Sequence, residues 1–229
     1  GAAVLAATLA AMTAGPLRGQ GSSVYTQSAC VSARGGAAVA GPCLDGSSIY
    51  YNPAALVMMP SAVSAGLTAI YNTGSFTYDS SGVEVEREAG IPLVPHAYAS
   101  YRFGERWAAG LGFFAPYGLR IEWPEAFEGR FISRESALHG LYVQPTLAWE
   151  AVAGRLSLGV GVDVVRGSIE INQHVDAALE NVQLALLGVP LGTDIARARL
   201  AGDGWGVGAQ AAVYWTPMDR LALGARYMH

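Results

Sequence analysis

Charge is scarce in this chain. Lys, Arg, Asp and Glu make up 14% of its 229 residues, against roughly a quarter in an ordinary soluble domain. The 18 acidic and 14 basic residues leave a net charge of −4 with no basic stripe, which excludes a nucleic-acid surface. Long apolar runs are missing as well. Mean hydropathy is positive, +0.28, yet beyond the N-terminus no apolar stretch reaches the ~18 residues of a membrane-spanning helix. Cysteine is limited to Cys30 and Cys43, and histidine to His96, His139, His174 and His229. No second cysteine pair or histidine cluster accompanies them, so no metal site is expected. None of the histidines stands with a Ser/Asp arrangement in strand register, which argues against a hydrolase. A nucleotide-binding motif is also lacking, and no cofactor is expected.

What is abundant points to lipid as the solvent. Hydrophobic residues make up 52% of the chain, with 29 Gly, 11 Tyr and 5 Trp. An apolar average without helix-length runs is what a transmembrane β-barrel shows, because lipid-facing and lumen-facing residues alternate. Residues 156–164 are the clearest case. Leu156, Leu158, Val160, Val162 and Val164 fall on one face; Ser157, Gly159, Gly161 and Asp163 fall on the other. That is strict period two, hence a strand. Residues 204–215 repeat it, with Trp205 and Trp215 near the ends of the apolar face, as in an interfacial aromatic girdle. Weaker alternation at 62–71, 96–103, 107–117, 138–149 and 221–227 brings the count to about seven strands.

The connections alternate in length. Tight turns at 103–106, 151–155 and 216–220 separate long excursions over 72–95, 118–137 and about 170–203. Short turns on one side and long loops on the other are the arrangement of an outer-membrane barrel. The expected fold is therefore all-β, a transmembrane antiparallel β-barrel. Seven is odd, and single-chain bacterial barrels close with an even number of strands. The chain is accordingly read as the N-terminal portion of a longer barrel.

Residues 1–14 are almost wholly small and apolar. They are too short to span a membrane and match the apolar core of a secretory signal, so 1–20 is read as a partial signal peptide. Export makes Cys30 and Cys43 candidates for a disulfide closing a short loop; two unpaired thiols are the alternative. The most distinctive stretch follows at 47–56, Ser-Ser-Ile-Tyr-Tyr-Asn-Pro-Ala-Ala-Leu. Asn52 suits a helix N-cap and Pro53 the first helical position. A two-turn helix is predicted from Pro53 to about Met59, stopped by Pro60.

Three stretches taken together resemble one family. The first is Gly-Gly-Ala-Ala-Val-Ala at 35–40 followed by Asp45 to Leu56. The second is Gly-Leu-Gly-Phe-Phe-Ala-Pro-Tyr-Gly-Leu at 110–119, with Trp123 and Gly129-Arg130 after it. The third is Gly-Asp-Gly-Trp-Gly-Val-Gly at 202–208, leading to Leu223–Tyr227. In order and spacing they are similar to the long-chain fatty acid transporter family of the outer membrane (FadL-type, including aromatic-hydrocarbon channels). The resemblance implies a fourteen-stranded barrel, with residues 61–229 as its N-terminal half and residues 21–60 folded into the lumen as a hatch. It places Asn52, Pro53 and Ala54 between hatch and wall; Ala55 departs from the Gly that the family more often has there. It also implies a Gram-negative outer-membrane location and a fatty acid or hydrocarbon ligand. Outer-membrane lipid and lipopolysaccharide would be the surroundings, with no nucleic acid, and the protein would be a monomer.

Two further features connect to that family. Pro116 cannot donate a ladder hydrogen bond and Gly118 adds backbone freedom, which predicts a kink or bulge in the third strand; the other reading is that Pro116 ends the strand. The family's kinked third strand opens a lateral hole, which would fall on Phe114, Ala115, Pro116, Tyr117 and Gly118. In the third long loop Val175, Leu179, Val182 and Leu186 recur at helical spacing, with Gly188 and Pro190 as a stop. By resemblance these residues, with Trp123 and Phe127, form a hydrophobic catch for substrate; the alternative is a helix packed on the neighbouring loop. Arg102 or Arg226 would face the lumen and meet a substrate carboxylate or an acid such as Asp45. The implied function is passive uptake with lateral exit. A structural or adhesive barrel and an outer-membrane lipid hydrolase are the alternatives.

Overall fold

The computed structural model describes residues 23–79, 81–88 and 90–229, with the side chains of 179, 180 and 182 outside that description. The expected signal segment, 1–20, also lies outside it. Among the described residues nine strands form: β1 (Ala62–Ala69), β2 (Ser75–Thr77), β3 (Glu84–Glu86), β4 (Leu93–Phe103), β5 (Trp107–Glu122), β6 (Glu135–Val152), β7 (Leu156–Asp176), β8 (Asp194–Met218) and β9 (Leu221–Met228). Seven of them make one antiparallel sheet in the order β1-β4-β5-β6-β7-β8-β9, and β2 with β3 forms a separate hairpin. The seven wall strands and their up-and-down order are those the alternation predicts.

Residues 23–60 pack on one face of this sheet, here called the inner face. They contain α1 (Ala29–Ala33), α2 (Ser48–Tyr51) and a 3-10 helix, Pro53–Met58. The core lies between this segment and the wall. Val31, Ile49, Tyr50, Tyr51, Leu56 and Val57 are buried against Tyr98, Ala108, Phe114 and Ala148. The outer face at the same level is aliphatic and exposed, with Leu111, Leu147, Leu158, Val160 and Val162 pointing away. Trp107 stacks on Trp149 across β5 and β6 at 6.0 Å. From Trp215 to Trp205 the apolar face runs ten residues, about 26 Å in height at barrel tilt, which matches the roughly 25 Å lipid-facing band of outer-membrane barrels.

Four strands run well beyond their expected ends. β5 continues past Pro116 to Glu122, and β6 begins at Glu135 rather than near 138. β7 extends to Asp176 and β8 begins at Asp194, so much of the expected third loop is sheet. The alternation does not stop above the band; its polarity inverts. On β7 the apolar side chains move from even positions (Leu158, Val160, Val162) to odd ones (Ile169, Ile171), while Arg166 and Glu170 take the even, outward positions.

The expected helix over 175–186 does not form as one piece. Val175 belongs to β7, and two short helices follow, α3 (Ala177–Glu180) and α4 (Val182–Leu186). Asp176 caps the first through Ala178 N–H at 2.9 Å and Asn181 caps the second through Gln183 N–H at 3.0 Å. Asn181 stops one helix and starts the next because its short side chain competes for backbone donors. The helix at Pro53 is likewise of 3-10 rather than α type, with Asn52 Oδ1 accepting from Ala54 N–H at 3.1 Å.

Candidate functional site

A segment that adds no strand to the wall must satisfy its backbone carbonyls some other way. Here inward side chains of the wall do it. Ser64 Oγ donates to Asp45 O (2.5 Å), Thr68 Oγ1 to Thr26 O (3.1 Å) and Tyr98 Oη to Gln27 O (2.9 Å). Gln144 Nε2 donates to Ile49 O and Gln210 Nε2 to Tyr50 O, both at 2.8 Å, and Ser157 Oγ to Ala54 O at 2.7 Å. Gln144 also donates to Gln210 Oε1, joining β6 to β8.

The Asn-Pro-Ala stretch sits at the tightest point. Asn52 Nδ2 donates to Val39 O (2.7 Å) and to Val213 O of β8 (3.1 Å), and Asn52, Pro53 and Ala54 are buried. Inward glycines make room for the segment. A Cβ on Gly159 would fall 2.3 Å from Ala54 N, one on Gly224 2.2 Å from Val39 O, and one on Gly110 2.7 Å from Ile49 Cδ1. The glycine-rich face is therefore a mould for the segment, a role that alternation alone did not reveal. Cys30 and Cys43 are joined in a disulfide, with Cα atoms 6.2 Å apart, closing the loop that carries Val39.

Neither arginine expected in the lumen pairs with Asp45. Arg226 donates to Tyr50 O and lies over the Tyr50 ring at 4.8 Å. Arg102 is exposed and donates to Glu105 O at 3.0 Å within its turn. Asp45 is instead held inside the segment. It accepts from Ser28 Oγ at 2.5 Å and from Ser47 N–H at 3.0 Å. Burial pushes its carboxyl pKa up, but these hydrogen bonds together outweigh burial and hold it below the ordinary 3.8.

The structure places Pro116 inside a strand, at a bulge. Pairing of β5 with β6 jumps from Phe114–Tyr142 to Tyr117–Gly140, so Ala115 and Pro116 face one residue. The extra residue turns Tyr117, Leu119 and Ile121 to the inner face, and Tyr117 lies against Tyr142 at 6.0 Å. On its other side β5 pairs with β4 only up to Phe114–His96. Beyond that point, among the described residues, the two strands have no ladder. The carbonyls this frees go elsewhere: Val24 N–H donates to Pro116 O at 2.7 Å and Gln27 Nε2 to Ala115 O at 3.0 Å. Higher up, Glu88 N–H donates to Glu122 O at 2.8 Å.

The residues expected as a substrate catch are dispersed. Trp123 stacks on Phe127 at 4.6 Å, and Phe127 packs on Phe76 and Tyr78 of the β2–β3 hairpin. Leu186 is 82% exposed on α4, next to Leu187 at 80%, and Val175 is part-buried on β7. The side chains of Leu179 and Val182 lie outside the described residues.

Residues 11–229 match the family described as outer membrane protein transport protein (OMPP1/FadL/TodX). The chain belongs to this family. Like other OMPP1/FadL/TodX proteins it is an outer-membrane protein with a β-barrel wall. The 47 kDa outer membrane protein of Pasteurella multocida (strain Pm70) is 28% identical to it over 230 residues, covering 96% of this chain and 53% of that protein. The crystal structure of a Pseudomonas aeruginosa FadL homologue superposes with a TM-score of 0.65 at 22% identity, covering 82% of this chain and 49% of that one. The toluene transporter TodX of P. putida does so with a TM-score of 0.63 at 21% identity, covering 80% and 51%. At that identity the two structures establish the fold. This OMPP1/FadL/TodX chain spans about half the length of the relatives it matches.

Proposed function

We propose that the full-length protein is a passive channel for uptake of hydrophobic small molecules, long-chain fatty acids or neutral hydrocarbons, across the outer membrane. The observation that carries this reading is the inversion of polarity above the lipid band. There the inner face holds Tyr117, Leu119, Leu138, Ile169 and Leu200, while charged side chains face outward. A water-filled pore needs no such lining; a path for an apolar molecule does, since burial of apolar surface favours its entry.

In this reading residues 23–60 are the hatch, and Asn52, Pro53 and Ala54 hold it on β7, β8 and β9. Exposed Leu186, Leu187 and Leu191 are the landing surface, and Trp123 with Phe127 keeps the neighbouring loop in place. Exit is sideways, where β5 leaves β4 at the bulge of Phe114 to Gly118. Movement runs down the concentration gradient and involves no catalysis. His174 Nδ1 lies 2.5 Å from Asp194 and Nε2 3.4 Å from Glu125.

The test is uptake of radiolabelled oleate and toluene by a deletion strain carrying the wild-type gene or a variant lacking Pro116. Deleting one bulge residue restores continuous β5–β6 register. Uptake should fall at least tenfold with heat-modifiable gel mobility preserved. Unchanged uptake in the variant would remove the lateral exit. Unchanged uptake in the deletion strain of fatty acids, alkanes and aromatics alike would remove the transport reading.

A further inference from the structure

Immediately above the apolar band, the outer face changes chemistry within one row of side chains. At the band's edge the Arg166 guanidinium lies over the Trp205 ring at 5.5 Å and meets Asp203 at 3.2 Å. One and two rows higher, three of the outward positions are small: Ser168, Ala137 and Ala201. They floor a basin of about 330 Å³. Its rim carries Arg120, His139, Glu135, Glu170 and Asp203, with Arg199 meeting Glu170 at 2.9 Å. Successive outward rows rise about 5 Å at barrel tilt. The basin thus spans the polar zone of the outer leaflet, which begins where the hydrocarbon ends.

We propose that this basin binds the phosphorylated sugar headgroup of an outer-leaflet lipid, that of lipid A. Arg120 lines it, Arg166 and Arg199 engage its rim carboxylates Asp203 and Glu170, and a guanidinium fork matches a phosphate better than any other side chain does. Arg120 engages Glu122 and Glu135 through Nη2, and Arg199 engages Glu170 through Nε, so further N–H donors of both remain for a phosphate. Their side chains stay 53% and 66% exposed. The interleaved carboxylates of Glu135, Glu170 and Asp203 supply hard oxygen ligands for the divalent cations that bridge phosphates in such a leaflet. The small residues leave the space that a sugar ring needs. A merely water-facing charged surface explains the ion pairs, which contribute little when exposed, but not the basin or its depth in the membrane.

The experiment uses the full-length protein extracted from outer membranes in mild detergent, with bound lipid quantified by mass spectrometry. Wild type should retain bis-phosphorylated lipid A through repeated washing. An Arg120→Gln, Arg199→Gln double variant should lose at least tenfold of it with heat-modifiable mobility unchanged. Ala201→Trp keeps every charge but fills the basin, and should lose as much. Equal retention in both variants, or equal retention of added dephosphorylated lipid A, overturns the proposal. Displacement by millimolar inorganic phosphate would mark a small-anion site and overturn the assignment to lipid.

Discussion

Gly159 lies directly beneath Ala54: a methyl group added to Gly159 would stand 2.3 Å from the Ala54 nitrogen and 2.5 Å from the Pro53 carbonyl carbon. Both are backbone atoms, so a side chain here cannot be accommodated by a rotamer change. Gly159→Val should therefore unseat the N-terminal segment, at or above the upper end of the roughly 1–3 kcal/mol typical of overpacking. Limited proteolysis of the full-length protein should show cleavage within 23–60 in this variant. Gly204→Val, where nothing lies within 4 Å, should leave the digestion pattern unchanged.

Asn52 joins three backbone groups, donating to Val39 O and Val213 O and accepting from Ala54 N–H. In Asn52→Ala each buried group left unpaired costs about 1–3 kcal/mol. The wall keeps its own ladders, so the barrel should assemble normally while the segment becomes protease-sensitive and oleate uptake falls. If Asn52→Ala fails to reach the outer membrane at all, the motif serves assembly and its role in holding the hatch for uptake falls.

Cys30 and Cys43 are 13 residues apart in sequence, and a disulfide closing a loop of that size stabilises by about 3 kcal/mol. The loop presents Val39 O to Asn52. A Cys30→Ser, Cys43→Ser double variant should expose the segment to protease at a lower temperature than wild type, with the barrel's own melting unchanged. Reductant should reproduce the effect in wild type and add nothing to the variant.

Asp45 titrates below its ordinary 3.8 because Ser28 and Ser47 hydrogen bonds outweigh its burial. A depressed carboxylate pKa contributes stability above the unfolded value and loses it as pH falls through the folded value. Segment protection should hold steady from neutral pH to about pH 5 and decline below about pH 4. Asp45→Asn should lack that acid step and be less protected at neutral pH; an acid step of unchanged size would assign it to another group.

How much was legible in the sequence follows from where polarity and period agree. Over 156–164 and 204–215 every outward side chain is apolar and every inward one but Tyr214 small or polar, so strand, face and girdle are all readable. On β7 the apolar set changes parity between Val164 and Ile169, and a strict period-two reading ends the strand there although the ladder continues to Asp176. On β5 the bulge shifts parity in the opposite sense, so Leu111 and Leu119 share a sequence phase while facing opposite sides. Asn52 and Pro53 were visible as a helix start. The partners of Asn52, Pro53 and Ala54 across the lumen, Val213, Ser157 and Gly159, were not, being more than a hundred residues away.

The sequence by itself determined the alternation, the seven strands, the short turns and hence an outer-membrane barrel, because each depends on neighbours a few residues apart. The tertiary structure alone decided which inward positions are glycine for clearance and which polar side chains close the carbonyls of residues 23–60. It also decided where β5 separates from β4 and where a charged basin forms on the outer face. Those features arise from contacts between distant strands, and a local pattern carries no information about what lies across the lumen.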